Sequence, residues 1–281
     1  MDFSTYTYTA ADISQRLDVI KNRLTNNVLQ KEILQTLLSV LDLTTLNGND
    51  NAATIDNLCN KAVSFATMGN NFPNVAAVCV YPPFVRQAKE LLVGTQISVA
   101  SVAGAFPSGQ SPIHVKTAEV SYCVAEGADE IDMVISRGTF LEGNFRIVSE
   151  EIAAIKKACG HAHLKVILET GELLTIENIR KASEIAILAG GDFIKTSTGK
   201  INPAATPEAM MVMCDTIHEF YKNTGIKIGI KPAGAIADTH TALFYYAIVE
   251  EILGHEWLNK SLFRIGASRL ADDIVVELNK L

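Results

Sequence analysis

Asp192-Phe193-Ile194-Lys195-Thr196-Ser197-Thr198-Gly199-Lys200 and Ile226-Lys227-Ile228-Gly229-Ile230-Lys231-Pro232-Ala233-Gly234 are short apolar runs, each carrying a lysine into a glycine turn. Continuous apolar runs, as opposed to strict alternation, read as parallel strands covered on both faces. Six similar runs lie around them, at Val40–Leu43, Val75–Tyr81, Ile97–Ala103, Glu130–Ile135, Leu164–Glu169 and Phe263–Gly266. Helical spacing fills the gaps. Thr206-Pro207-Glu208 supplies a cap, a first-turn proline and an acidic first turn for a helix to Tyr221. Ile176–Leu188 has helical periodicity and stops at Gly190-Gly191. Eight strands alternating with helices predict an α/β fold, a (β/α)8 TIM barrel, over an open doubly wound sheet. Residues 1–281 are read as one domain. Residues 1–33 are surplus to the eight units and are expected to form a helical extension capping the barrel's bottom or a neighbouring chain.

Composition sets the outer bounds. The 281 residues are 48% hydrophobic and 20% charged, which suits one large buried core. The net charge of -7 and the lack of a basic cluster predict no nucleic-acid partner. Cys59, Cys79, Cys123, Cys159 and Cys214 are scattered and odd in number, so a reducing cytoplasm is expected. No secretory signal is read at the N-terminus, and no apolar run approaches the ~20 residues needed to span a bilayer, so no membrane partner is predicted.

The polar residues of the predicted strands gather at one end. Asp42, Asp132, Glu169, Lys195, Lys231 and Ser268 all belong to the C-terminal rim, where barrels of this kind build active sites. Lys195 is the expected nucleophile. A desolvated amine beside a second cation is deprotonated at neutral pH and attacks a carbonyl to form an iminium, an electron sink for carbon–carbon chemistry. Lys231 is the expected second cation, and Asp132 the expected proton relay. The bland alternative, two lysines snorkelling into solvent, suits one strand lysine better than two next to an aspartate. Gly199-Lys200, Gly234 and Gly266-Ala267-Ser268-Arg269 follow strands six, seven and eight, the usual phosphate corner. Each glycine alone is an ordinary turn residue; three consecutive turns beside cations point to phosphate. His161 and His163 lack a third ligand and read as a surface pair, so no metal is assigned. Cys79 reads as a core or pocket-lining residue without a base beside it, and Trp257 as packed in the helix before strand eight.

The runs from Leu41 to Leu46, Gly127 to Asp132 and Leu164 to Gly171, with FIKTSTGK (193–200) and KPAG (231–234), closely resemble the 2-deoxyribose-5-phosphate aldolase family. The resemblance covers about Leu34 to the C-terminus. It implies a class I aldolase without a metal or other cofactor. Such an enzyme reversibly cleaves 2-deoxy-D-ribose 5-phosphate to acetaldehyde and D-glyceraldehyde 3-phosphate. It further implies small phosphosugar and aldehyde partners and a homodimer or homotetramer. By position, Lys195 resembles the Schiff-base lysine, and Lys231 and Asp132 its activating and relay partners. Asp42, Thr44 and Lys165 would orient the substrate or line the pocket. Thr198, Gly199, Lys200, Gly234, Gly266 and Ser268 would hold the rest of it, the phosphate above all. Many relatives continue KPAG with Gly-Val-Arg, whereas this chain has Ala235-Ile236-Ala237 and places Arg269 where many have serine. Arg269 is therefore expected to replace the missing cation, the alternative being relaxed phosphate selection. Some relatives end in a tyrosine that aids proton transfer; residues 278–281 contain none, so the step is expected to be slower or served by water. A metal-dependent aldolase, a non-catalytic phosphosugar-binding barrel and another Schiff-base aldolase are the competing readings.

Overall fold

The strands form where the apolar runs predict them. In the computed structural model, which describes residues 2–24, 30–68 and 72–281, they are β1 (Leu41–Thr44), β2 (Ala77–Val80), β3 (Ser98–Ala103), β4 (Glu130–Val134), β5 (His163–Ile167), β6 (Phe193–Lys195), β7 (Gly229–Lys231) and β8 (Ile265–Ala267). All are parallel, and each pairs with its neighbour in sequence from β1 to β7, while β8 pairs with β1. Two isolated bridges, Ile230 with Phe263 and Ala233 with Gly266, bring β7 against β8 and nearly close the barrel. The strands are short because tilt and closure leave room for only a few paired residues each.

The helices are α1 (Ala10–Leu24), α2 (Lys31–Ser39), α3 (Ala52–Ser64), α4 (Val85–Leu91), α5 (Ile113–Ala125) and α6 (Arg137–Leu141). They continue with α7 (Phe145–Cys159), α8 (Thr170–Leu173), α9 (Ile176–Leu188), α10 (Pro207–Thr224), α11 (Thr239–Leu253) and α12 (Leu270–Leu278). Thr206 caps α10 as the sequence predicts, accepting from the Ala209 N–H, and Thr175 caps α9 in the same way, accepting from the Asn178 N–H. The main core lies between the helices and the outer strand faces. A smaller cluster of Leu46, Ala77, Cys79, Ala100 and Val102 is separate from it.

The N-terminal segment departs from expectation. It does not cap the bottom of the barrel but straps the outside of the helical ring. Ile13, Leu17 and Ile20, spaced i, i+4, i+7, are buried where α1 packs on α10 and α11. Arg16 forks onto Asp215 of α10 at 2.6 and 2.7 Å, and the Tyr6 hydroxyl donates to the same carboxylate at 2.6 Å. Phe3 stacks on Phe220, with the Arg180 guanidinium over its ring. Lys21 and Leu24, at the end of α1, share a cavity with Pro207 and Ala235, so the strap reaches the C-terminal rim. The expected limit at residue 33 falls inside α2, which packs on α11 and α12. Trp257 is buried in a single 3-10 turn, not a helix, and donates to the Ile228 carbonyl at 2.9 Å.

Candidate active site

Register brings the two lysines together. Lys195 on β6 is paired with Lys231 on β7, and Asp132 on β4 with Lys165 on β5. Paired residues of a parallel sheet point to the same face, so these side chains converge inside the barrel. Lys195 Nζ donates to Asp132 Oδ2 at 2.8 Å, and Lys231 Nζ donates to the same oxygen at 2.7 Å. Lys231 also donates to Asp42. All four groups are buried, Lys195 at 3% exposure and the other three at 0%. Lys195 alone among them lines the cleft at the C-terminal rim, a space of about 290 Å³.

The two amines are shifted in opposite directions. Burial pushes Lys195 below the usual lysine range and Lys231 adds to this, while Asp132 opposes it. Burial acts on Lys231 the same way, but Asp132 and Asp42 outweigh it and hold this ammonium above its ordinary value. Asp132 is pushed up by burial, yet Lys165, Lys195 and Lys231 keep it well below the usual carboxylate range. Asp42 follows the same pattern, with Lys231, Arg264 and Lys165 overcoming burial. The arrangement supplies an amine whose proton is loosened, a fixed cation and a carboxylate bridging them, with the loosened amine facing the cleft.

The cleft walls come from four loops: Thr44 to Asn47, Thr198 to Lys200, Ala233 to Ala237 and Gly266 to Arg269. Thr44, Thr198, Gly199, Lys200, Gly234, Gly266, Ser268 and Arg269 therefore meet in one place, as the sequence predicts. Lys200 and Arg269 bring positive charge, and among the described residues no carboxylate lines the cleft. Lys200 donates to the Leu46 carbonyl, and Arg269 is exposed. Asp42 and Lys165 do not line the cleft. Asp42 accepts from Lys231 and, at 2.6 Å, from Arg264. Lys165 sits a layer below Lys195, because its partner on β6 is Phe193, and it bonds Glu130 and Asp132, the latter at 3.0 Å.

Gly234 sets the closeness of two of these loops. Its φ is +78°, and a Cβ there would lie 2.7 Å from Ala204 Cβ and 2.9 Å from Gly199 Cα. Gly234→Ala is expected to lower stability by about 2 kcal/mol or more, from left-handed strain and overlap together. A chemical denaturation curve checks this; an unchanged midpoint would contradict it. Ala235 also has positive φ, 61°, at the position where the resemblance leads to a glycine.

Glu130 and Arg264 escape the sequence reading, and Glu169, which that reading places at the rim, takes a role it does not reveal. Glu169, at φ 56°, accepts from the Thr198 N–H at 3.1 Å and from its hydroxyl, which fixes the turn after β6. Glu130 and Arg264 lie beneath the amines. Glu130 shares a strand face with Asp132 by the two-residue period, and this signal could have found it. Cys79 is buried, and burial pushes its thiol up to about 11, so it is uncharged at neutral pH. His161 and His163 are exposed, at the start of β5, away from the cleft.

Comparison with known proteins agrees with this geometry. The sequence model of the DeoC/LacD family aldolases matches residues 36–247, most of the barrel. The chain belongs to the DeoC/LacD aldolase family. Within that family, a Caenorhabditis elegans chain is 47% identical over 249 residues, 88% of this chain and 82% of that one. Human deoxyribose-phosphate aldolase is 46% identical over 247 residues, 84% of this chain and 78% of its own. A tetrameric deoxyribose phosphate aldolase from Aeropyrum pernix superposes with a TM-score of 0.70 at 23% identity, over 97% of this chain and 99% of that one. That likeness speaks to the fold alone. As a DeoC/LacD aldolase, the chain keeps its lysine pair, its aspartates and the turns at Gly199 and Gly234 inside the matched span, while Gly266, Ser268 and Arg269 lie beyond it.

Proposed function

We propose that this protein is a class I deoxyribose-phosphate aldolase that works through a Schiff base on Lys195. The observation that carries this is the pairing of a depressed amine at the cleft floor with an ammonium held charged beside it. In the cleavage direction, Lys195 Nζ adds to the aldehyde carbon of open-chain 2-deoxy-D-ribose 5-phosphate. The carbinolamine hydroxyl takes up a proton and leaves as water, giving the iminium. Loss of the C3 hydroxyl proton breaks the C2–C3 bond, whose electron pair moves to the iminium and leaves an enamine. D-glyceraldehyde 3-phosphate departs, the enamine is protonated on carbon, and water returns acetaldehyde and free Lys195. Asp132 is suited to pass protons at the amine, since it touches Lys195 and Lys231 at one oxygen. Release of acetaldehyde and glyceraldehyde 3-phosphate, undiminished by excess chelator, is the direct test; abolition by chelator would contradict it.

Phosphate is assigned to the corner formed by Gly199, Lys200, Gly234, Gly266, Ser268 and Arg269. α12 begins immediately after Arg269, and the free N–H groups of a first turn favour an anion. Arg269 stands in for the cation missing at Ala237, because both residues line the cleft. Arg269→Ala is expected to lower kcat/KM for the 5-phosphate by roughly 10- to 100-fold, the size of a charge-assisted hydrogen bond. Turnover of unphosphorylated deoxyribose should hold. Equal loss on both would show that Arg269 does not read the phosphate, which favours relaxed phosphate selection. A homodimer or homotetramer in the cytoplasm completes the proposal. Five buried free thiols fit a reducing compartment, and light scattering tests the assembly, a monomer being the contrary result.

A further inference from the structure

Beneath the two amines, the barrel interior holds a second tier of charge that does not reach the cleft. Arg264, just before β8, has its backbone N–H bonded to the Ile230 carbonyl at 3.0 Å. Its guanidinium donates to Asp42 Oδ1 at 2.6 Å and to Glu130 Oε1 and Oε2 at 2.6 and 3.2 Å. Lys165 donates to Glu130 and, at 3.0 Å, to Asp132, and lies 3.7 Å from Asp42. The tiers thus form one connected network of Asp42, Glu130, Asp132, Lys165, Lys195, Lys231 and Arg264, every member at most 4% exposed.

Its charge can be counted. Three carboxylates face four cations when Lys195 is protonated, leaving one positive charge in excess; with Lys195 neutral the two signs balance. A balanced buried network is far cheaper than one carrying a net charge. Lys195 is also the lysine held most weakly. It touches one carboxylate, Asp132, whereas Lys231 touches two and Lys165 lies within 4 Å of three. The remaining walls bring no compensating ion. From β2 comes Cys79, an uncharged thiol, from β3 come Ala100 and Val102, and from β6 comes the Phe193 ring, 5.9 Å from the Arg264 guanidinium carbon.

We propose that Arg264 is a positioning residue of the reaction: by occupying the third cationic place opposite Asp42, Glu130 and Asp132, it makes Lys195 the surplus cation and so the amine free to react. This rests on Lys195 being the nucleophile. Arg264 acts on the nucleophile without touching substrate, and Glu130 acts with the opposite sign. Removing the Arg264 charge leaves a network that is balanced with Lys195 protonated. Removing the Glu130 charge increases the positive excess.

The test is the rate at which cyanoborohydride traps the acetaldehyde adduct on Lys195, read by mass spectrometry from acidic to alkaline pH, each variant against the parent at the same pH. In Arg264→Met the acid limb is expected to move to higher pH by about one unit, with roughly tenfold slower trapping on the acid side and little change on the alkaline plateau. Glu130→Gln should move the limb to lower pH. The double variant should return it close to the parent's position, and Arg264→Lys should leave it in place. An Arg264→Met protein that traps more slowly by the same factor at every pH would overturn the proposal, as would shifts of the same sign in the two single variants. If Arg264→Met does not fold, the near-isosteric Glu130→Gln decides alone, because a limb that stays put or moves upward contradicts the charge count. An absence of adduct on Lys195 in the parent would overturn the functional proposal and this one with it; an adduct with unmoved limbs overturns this one only.

Discussion

Lys195→Leu is expected to lower turnover of deoxyribose 5-phosphate by on the order of 10⁴-fold or more, at every pH, while the protein stays folded. The loss is that large because the lysine forms the bond, and no neighbour can replace it. Lys231 shares Asp132 Oδ2 with it, but Asp132 and Asp42 hold Lys231 protonated and it does not line the cleft. Folding survives because leucine fills most of the lysine stem's volume and the remaining three carboxylates and three cations of the buried network balance. Steady-state assay with a thermal melt checks both parts. Retention of more than about a hundredth of parental turnover would show that the reaction does not need this amine.

The second large effect is expected from Lys231→Met: turnover at neutral pH falls by about 10²- to 10³-fold, and part of it returns as the pH is raised. Lys195 and Lys231 share one oxygen of Asp132, so removing the Lys231 charge removes the repulsion that helps push the Lys195 amine below its usual range. The Lys195 value therefore rises, and each unit of rise leaves about tenfold less free amine at a fixed pH below it. The acid limb of kcat/KM should move to higher pH. Stability should also fall by about 3–5 kcal/mol, since Asp42 and Asp132 lose a buried partner. The sign of the pH dependence follows from the shifts. Lys231 is raised in the folded protein, so its contribution is complete below the unfolded lysine value and is lost as pH rises through the folded one. Asp42 and Asp132 are depressed, so theirs is complete above the unfolded carboxylate values and is lost as pH falls through the folded ones. The stability deficit of the variant should therefore be nearly constant between about pH 5 and 10. A limb that does not move, or a deficit that vanishes at neutral pH, would contradict this.

The barrel was legible because its strands are buried on both faces and appear as unbroken apolar runs, within which Lys195 and Lys231 stand out. The glycine turns after β6 and β7 were legible for a similar reason, since a turn residue next to a cation is a local pattern, whereas Gly266 lies within β8 and not in a turn after it. The lower tier was not. Glu130 follows a turn, Gly127-Ala128-Asp129, and Arg264 flanks a loop, so each reads as an ordinary polar end of a strand. Only closure of the barrel brings β1, β4 and β8 close enough for Arg264 to bridge Asp42 and Glu130. The resemblance places Lys165 at the pocket wall, but it lies below the cleft, because its depth depends on register with Phe193, which no single strand reveals. The N-terminal helix shows its apolar stripe in Ile13, Leu17 and Ile20 but not its partner. That choice belongs to Asp215 and Phe220, some two hundred residues along the chain.

The central claim is that Lys195 Nζ bonds the substrate carbon, and reduction of the imine tests it most directly. Protein incubated with acetaldehyde and cyanoborohydride, digested and mapped by mass spectrometry, should carry one ethyl group on the peptide containing Lys195. Neither the Lys231 nor the Lys165 peptide should carry it. Modification of Lys231 in place of Lys195, or no adduct under conditions where the enzyme turns over, would contradict the claim.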